Sequence, residues 1–217
     1  MARVVELAAP IETDRVLDVA CGTGLVSKAF RSHVASITGL DLTPAMGVQA
    51  TPWLDSLVIG AAEHMPFGDG EFDLTVCRQG IQFMHAEEAI REMVRTTRPG
   101  GRVVLVNLCG FGGGDEEEYF EILRLRNPAR RYCFLPESLS ELLRTAGCAS
   151  VNVHRYTIDE DIDLWADNGA ISEANRNRIR TIYREASPNF KRLHRLRYLE
   201  DGRIVDHMLF AIAIGIP

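Results

Sequence analysis

Residues 16–24 have the sequence VLDVACGTG, and this stretch decides the fold class. An apolar run that contains Asp18 leads into a loop of small residues that includes Gly22 and Gly24. Because glycine adopts backbone conformations that a Cβ forbids, such a loop can turn sharply and let a ligand approach the main chain. About twenty residues later, Asp41 ends a second apolar run, and its carboxylate can accept hydrogen bonds from ribose hydroxyls. The layout predicts a parallel α/β sheet that binds an adenosine-containing cofactor.

The glycine loop departs from the pattern of dinucleotide-binding proteins. Those loops usually follow G-x-G-x-x-G and cradle a pyrophosphate at a helix N-terminus. Here the sixth position is Ser27, and no lysine lies between Gly22 and Ser27 to pair with phosphate. An NAD-dependent dehydrogenase is therefore a disfavoured alternative, which micromolar binding of a nicotinamide dinucleotide would revive.

Four segments together resemble the class I S-adenosylmethionine-dependent methyltransferases, and among them the ubiquinone and menaquinone biosynthesis C-methyltransferases. The segments are the loop at 18–24, GLDLTPAM at 39–46, AAEHMPF at 61–67 with FDLTV at 72–76, and RPGGRVVLV at 98–106. One such motif is weak evidence, whereas four in this order are specific. The resemblance implies a Rossmann-like, doubly wound sheet of seven strands, mostly parallel, with an antiparallel strand seven.

The chain length is consistent with one methyltransferase domain over residues 1–217. A helical insert is expected at 159–196, between strands six and seven. Its basic residues Arg176, Arg180 and Arg184 are spaced to share one helix face. One interpretation is a substrate lid that holds an anionic group. The alternative is a solvated helix face, which is the commoner role of a charge run.

The resemblance implies S-adenosyl-L-methionine as the cofactor and assigns roles around the first strands. Asp18 would order the loop near the methionine amino group, Asp41 would bind the ribose hydroxyls, and Leu42 would pack against adenine. The implied cofactor-binding residues are Asp18, Ala20, Cys21, Gly22, Thr23, Gly24, Asp41, Leu42, Ala62, Glu63 and Gln79. The alternative for the two aspartates is that they are ordinary strand-end carboxylates, but two acids at this spacing around G-x-G rarely occur by chance.

Catalytic groups are harder to assign, because the cofactor brings its own reactivity and the protein mainly supplies alignment. His85 follows strand four and is the candidate general base, since imidazole titrates near neutral pH. A lone histidine is more often a structural hydrogen-bonding residue. His154 and His207 are weaker candidates for the same general-base role.

The sequence also departs from the family pattern. Ala61 occupies the position where the family usually has an aspartate that bonds the adenine amino group. The segment 47–56 is short, and few residues precede strand one, where the family usually has a helical cover. These features motivate a second hypothesis, a methyltransferase-like protein that binds the cofactor without transferring its methyl group.

The composition of the chain indicates which classes of partner it binds and in which cellular compartment it works. The net charge of -6 argues against nucleic acid as the main partner. The five cysteines are scattered, which fits reduced cytosolic thiols, and the six histidines form no metal-ligand pair, so no metal site is predicted. No apolar run is long enough to span a bilayer. We expect a cytoplasmic protein that acts on a small-molecule substrate, apolar or aromatic, with the acceptor atom and the oligomeric state left open.

Overall fold

The structure is a computed structural model that describes residues 1–217. The chain divides into two compact units. Unit 1 comprises Met1–Asn107, Glu137–His154 and Ala211–Pro217, and unit 2 comprises Leu108–Pro136 and Arg155–Phe210. No helix is both long enough and apolar enough to cross a membrane.

The first half of the chain alternates strands and helices. Its elements are α1 (Ala2–Ala8), β1 (Arg15–Val19), α2 (Leu25–Phe30), β2 (Ser36–Asp41), α3 (Pro44–Ala50), β3 (Ser56–Ile59), β4 (Phe72–Arg78), α4 (Ala86–Thr96) and β5 (Thr97–Cys109). The second half contains α5 (Glu116–Arg126), α6 (Pro136–Thr145), β6 (Ser150–Asp161), α7 (Ile162–Ala166), α8 (Glu173–Glu185), α9 (Pro188–Leu193), β7 (Arg197–Tyr198) and β8 (Ile204–Ile216).

The strands form one mixed sheet with the order β3-β2-β1-β4-β5-β8-β6, and the short strand β7 pairs antiparallel with β8. Strands β1 to β5 pair in parallel, with Asp18 of β1 opposite Gly39 of β2 and Val76 of β4. The predicted fold class, Rossmann-like and mostly parallel with antiparallel pairing near the C-terminal end, is confirmed. The two-residue strand β7 was not predicted, since two residues carry no periodic signal.

In unit 1 the central strand β1 is buried along almost its whole length, with Leu17 and Val19 fully covered. Helix α4 buries Ala89, Ile90 and Met93, which recur at helical spacing and form one apolar face. A strand that is apolar on both sides is typical of a parallel sheet with helices packed on its faces. The pattern explains why β1 and α4 were predictable from local sequence.

The helices of the predicted insert occupy residues 162–193, since 159–161 complete strand β6. The basic face on α8 is largely ion-paired. Arg180 Nε lies 2.6 Å from Asp163 Oδ1, and Arg176 Nη2 lies 3.3 Å from Asp167 Oδ1. These carboxylates offset the charge of both guanidinium groups.

Unit 2 is organised around the buried side chain of His194. Its Nδ1 lies 2.9 Å from Asp206 Oδ1 and its Nε2 lies 3.1 Å from Asp115 Oδ2, and none of the three side chains is exposed. The ring of Phe190 stacks on the imidazole at 3.8 Å. An ionised carboxylate only accepts hydrogen bonds, so this geometry favours the imidazolium form of His194, in which both ring nitrogens donate.

The two carboxylates connect His194 to the rest of unit 2. Asp115 also accepts hydrogen bonds from the backbone N–H of Phe111 and Gly112, at 2.7 and 2.8 Å, and so fixes the glycine-rich loop before α5. Asp206 on β8 accepts from the hydroxyl of Tyr183 at 2.7 Å. Burial alone would lower the pKa of His194, but its hydrogen bonds to both aspartates outweigh burial and raise the pKa above the ordinary value.

The stability of the protein should fall as the pH rises through the folded-state pKa of His194. A histidine whose pKa is raised on folding contributes its full stability below its unfolded pKa of about 6.5 and loses it at higher pH. Thermal unfolding followed from pH 6 to pH 9 should show this loss. The His194→Gln variant should be less stable at pH 6 and should lack the histidine-dependent slope above pH 6.5.

The matched control is His33→Gln, because His33 is exposed on the surface of unit 1. This variant should keep the wild-type slope. A wild-type slope that survives in His194→Gln would contradict the assignment of an imidazolium at this position.

Candidate functional site

The predicted site residues lie in unit 1, at the ends of parallel strands. Because β1, β2 and β4 are neighbours in the same orientation, the loops that follow them meet at one edge of the sheet. The backbone N–H of Cys21 donates to Leu40 O at 3.1 Å, which joins the loop after β1 to the end of β2. A Cβ placed on Gly80, just after β4, would lie 2.7 Å from Ala20 Cβ. The structure therefore brings three of the predicted segments together.

The loop after β1 uses its two glycines for different purposes. Both have positive φ, 54° at Gly22 and 83° at Gly24. A Cβ on Gly24 would lie 2.9 Å from Ala50 Cα, so this glycine is required for packing of the loop against α3. A Cβ on Gly22 would find its nearest neighbour, Met46 Cε, at 3.7 Å. There is thus room beside Gly22 for a further atom at van der Waals distance from Met46, whereas the space at Gly24 is filled by protein.

Asp41 ties two loops together through its side chain. Its Oδ2 accepts from the N–H of Gly22 and its Oδ1 accepts from the N–H of Thr43, each at 2.8 Å. Each carboxylate oxygen has a further lone pair, so the group can still accept from ribose hydroxyls. Next to it, the side chain of Leu42 is 71% exposed, which leaves an apolar surface that a flat heterocycle could cover. Both features fit the predicted ribose and adenine contacts.

Asp18 is buried beneath the same loop. Its Oδ2 accepts from the N–H of Ser27 at 3.1 Å and from the Ser27 hydroxyl, while its Oδ1 is buried with no hydrogen-bond partner. Burial raises the pKa of Asp18 to about 7, although the bonds from Ser27 act in the opposite direction. The carboxylate has no ion-pair partner, so a cationic group bound nearby would favour its charged form. The residue is therefore suited to the positively charged end of S-adenosylmethionine.

The remaining predicted residues surround this centre. Ala62 is buried, and the carboxylate of Glu63 accepts from the N–H of His85 at 2.8 Å, joining the loop after β3 to the start of α4. His85 is exposed at the position preceding α4, and its role as a base stays a prediction. Gln79 has a positive φ of 54°, and its carbonyl accepts from Gln82 Nε2 at 2.7 Å. Among the loop residues, Thr23 is exposed.

Burial keeps the thiols near the site in their neutral form. Burial, followed by the negative charges of Asp18 and Asp41, raises the pKa of Cys21 to about 12. Burial also raises the pKa of Cys77, under the loop after β4, to about 12. A neutral thiol is a poor nucleophile, so neither cysteine supports covalent chemistry at neutral pH.

Sequence reasoning missed two residues of the site. Ser27 was treated only as a missing third glycine, although it is the hydrogen-bond partner of Asp18. Gly80 was not singled out, although a Cβ there would also lie 2.8 Å from Cys77 Sγ. The glycine that directly follows Gln79 was the available signal for a close approach between loops.

Comparison with known proteins shows which proteins this chain resembles. A family described as "Methyltransferase domain" matches residues 17–105. The uncharacterized methyltransferase YcgJ of Bacillus subtilis is 26% identical over 212 residues, covering 92% of this chain and 83% of that protein. The crystal structure of YcgJ superposes with a TM-score of 0.91 at 22% identity and covers 99% of this chain and 96% of that chain, which shows a shared fold.

Two further relatives have named activities. The malonyl-[acyl-carrier protein] O-methyltransferase of Erwinia pyrifoliae is 30% identical over 159 residues, covering 72% of this chain and 59% of that protein. The ubiquinone/menaquinone biosynthesis C-methyltransferase UbiE of Cupriavidus pinatubonensis is 33% identical over 145 residues, covering 58% of this chain and 59% of that protein. The chain thus spans about three fifths of the length of these two relatives.

The two loop glycines should respond differently to alanine. Gly24→Ala combines positive φ with a backbone clash and should lower the free energy of unfolding by about 2 kcal/mol or more. Gly22→Ala carries only the conformational strain, about 1 kcal/mol, and should fold, but its methyl group would occupy the open space and weaken S-adenosylmethionine binding at least tenfold. Chemical denaturation and calorimetric titration would measure both effects. Equal stabilities of the two variants would contradict this division of roles.

Cofactor binding should release a proton from Asp18. An acid whose pKa is raised on folding loses stability as the pH rises from its unfolded value of about 4 towards about 7. The isosteric Asp18→Asn variant should therefore gain stability relative to wild type across this interval, in the absence of cofactor.

The linked measurement is titration with S-adenosylmethionine at pH 6.5 in buffers of different ionisation enthalpy. Wild type should release a fraction of a proton, while Asp18→Asn should release less and bind at least tenfold more weakly. The same buffer dependence in both proteins would show that another group carries the proton.

Proposed function

Since the chain is a class I S-adenosylmethionine-dependent methyltransferase that resembles the ubiquinone and menaquinone biosynthesis branch, we propose that it methylates a carbon, oxygen or nitrogen atom of a small-molecule acceptor. The observation that carries this proposal is the placement of two carboxylates around one open loop. Asp18 lies beneath the loop, and Asp41 holds the N–H of Gly22. The arrangement supplies an acceptor for ribose hydroxyls and a negative charge for the cationic end of the cofactor.

When bound, S-adenosylmethionine supplies an electrophilic methyl group on a sulfonium. The residues of this chain then act by binding and orienting. Asp41 would hold the ribose, Leu42 would cover one face of the adenine, and the open backbone at Gly22 would admit the methionine portion. An in-line displacement needs the acceptor atom behind the methyl group, and holding the two reactants in that alignment lowers the entropic part of the barrier.

The proton balance depends on the acceptor. A hydroxyl, amine or activated carbon loses a proton when it is methylated, and we propose His85 to accept it. The exposed position of His85 at the start of α4 is consistent with proton exchange with solvent. The helical segment 162–193 stays a proposed substrate lid, which would act by excluding water.

The acceptor is proposed to be apolar or aromatic. The name of the relative from Cupriavidus pinatubonensis points to quinone precursors, and that of the relative from Erwinia pyrifoliae points to an acyl carboxyl group. An acceptor panel should therefore include reduced quinone precursors, phenols, aromatic amines and carboxylic acids.

The alternative function is cofactor binding without methyl transfer. It is motivated by the residue that would face the adenine amino group. Ala61 has no carboxylate to bond the adenine amino group, so recognition there rests on backbone and packing. Adenine affinity would then be lower than in relatives with an acid at this position. Binding without turnover across the whole panel would favour this alternative.

The test joins binding with turnover. Calorimetric titration with S-adenosylmethionine and S-adenosylhomocysteine should give micromolar dissociation constants, and transfer of a radiolabelled methyl group should follow with at least one acceptor. Asp41→Ala should make the binding free energy of both ligands less favourable by about 2 kcal/mol, the cost of losing hydrogen bonds to a charged group.

The control is Asp69→Ala, because Asp69 is an exposed aspartate of the same unit that pairs with Arg95. It should leave both affinities unchanged. Absence of binding by folded wild-type protein would overturn the proposed function, and unchanged affinity in folded Asp41→Ala would overturn the ribose assignment.

A further inference from the structure

Unit 2 contains an open cleft to which the proposed function assigns no ligand, although two of its lining residues, Arg192 and Leu193, belong to the proposed lid. Its volume is about 480 Å³. It is lined by Phe111, Thr157, Arg192, Leu193, Arg195 and His207. The lining thus combines two guanidinium groups, an imidazole and an aromatic ring, with no acidic side chain.

The positive charge of this cleft is uncompensated. Arg192 Nη2 donates at 2.7 Å to Asn189 Oδ1, a neutral amide, and the guanidinium of Arg195 has no hydrogen-bond or ion-pair partner. His207 Nδ1 lies 2.6 Å from Asp159 Oδ1. Asp159 is also paired with Arg197, whose Nη2 lies 2.6 Å from its Oδ2, so this neighbouring acid is bonded to His207 and Arg197 rather than to Arg192 or Arg195.

In a second cleft of unit 2, two of the three lining arginines are paired with carboxylates. Its lining includes Arg180 and Arg203 together with Asp163 and Asp201. Arg180 lies 2.6 Å from Asp163, and Arg203 lies 2.8 Å from Asp201. Those arginines have carboxylates within the cleft itself, whereas Arg192 and Arg195 have none.

The backbone at Arg195 is an independent observation. Helix α9 ends with Leu196 N–H donating to Lys191 O at 3.1 Å, and Arg195 sits in the left-handed conformation with φ 44°. Glycine is the residue that this helix ending favours, because a Cβ is strained there. A non-glycine residue in a strained conformation is a pointer to function when its side chain faces a cleft. The chain has arginine at this strained position, and that arginine lines the cleft.

We propose that this cleft binds a small aromatic anion, with Arg192 and Arg195 holding its carboxylate or phosphate group and Phe111 contacting its ring. Guanidinium groups bind planar or tetrahedral oxyanions through paired N–H donors, which is the chemistry that two arginines without carboxylate partners offer. Phe111 is held in place by the N–H bond to Asp115 at 2.7 Å and by an edge contact of its ring with His194 at 5.0 Å.

The test is calorimetric titration of the full chain with phenyl phosphate, benzoate and inorganic phosphate, without S-adenosylmethionine, in a low-chloride buffer. Saturable binding that is tighter for phenyl phosphate than for inorganic phosphate is expected. Arg195→Gly should weaken the binding of phenyl phosphate at least tenfold. Because glycine adopts a positive φ without strain, this variant should also unfold at a higher midpoint. Arg195→Gln keeps the strain and the bulk and should lose binding without gaining stability.

The control is Arg203→Gln, which removes one positive charge from the same unit at a paired position. It should change the affinity less than twofold. The proposal is overturned if wild type shows no saturable binding, or if Arg203→Gln weakens phenyl phosphate as much as Arg195→Gln does. Equal affinity for inorganic phosphate and phenyl phosphate would contradict the proposed contact between Phe111 and the ring of the ligand. Since binding is measured without cofactor, failure here leaves the methyl-transfer proposal untouched.

Discussion

The hydrogen bond from the Gly22 N–H to the Asp41 carboxylate joins the loops that follow two neighbouring parallel strands. Both strands are largely buried and held by their neighbours in the sheet, so this bond acts on the shape of the loops. The other oxygen of Asp41 fixes the N–H of Thr43 at the start of α3. One carboxylate thus determines the geometry of the proposed cofactor site, and a ligand that bonds to it meets a preorganised acceptor.

A comparable constraint organises unit 2. His194 is held between Asp115 and Asp206, and Asp115 in turn fixes the glycine-rich loop. Buried charges of this kind are tolerable only when each is paired and hydrogen-bonded. The cluster connects α5, α9 and β8 through polar contacts inside an otherwise apolar core. It therefore specifies one arrangement of these elements, which apolar packing alone would define less sharply.

The sequence predicted the features that depend on local pattern. Strand β1 and the end of β2 at Asp41 follow from apolar runs next to small residues. The extension of β6 to Asp161 and the pairing of Arg180 with Asp163 were not predictable, because they depend on partners that are distant in the chain. The sequence places five basic residues between Lys191 and Arg197, but only the structure distinguishes Arg197, which has a carboxylate partner, from Arg195, which has none. Residues that act through tertiary partners leave no periodic signal.

The protected thiols of Cys21 and Cys77 offer a way to observe the site in motion. Cys21 lies in the cofactor loop and Cys77 lies beneath the next loop, and both are buried and neutral. A thiol-reactive reagent reaches such a group only when the surrounding backbone opens, so its reaction rate reports the frequency of local opening. The chain therefore carries two natural reporters of loop dynamics, one for the loop after β1 and one for the loop after β4. Their slowing by a bound ligand would measure how far that ligand rigidifies each loop, without any label being added to the protein.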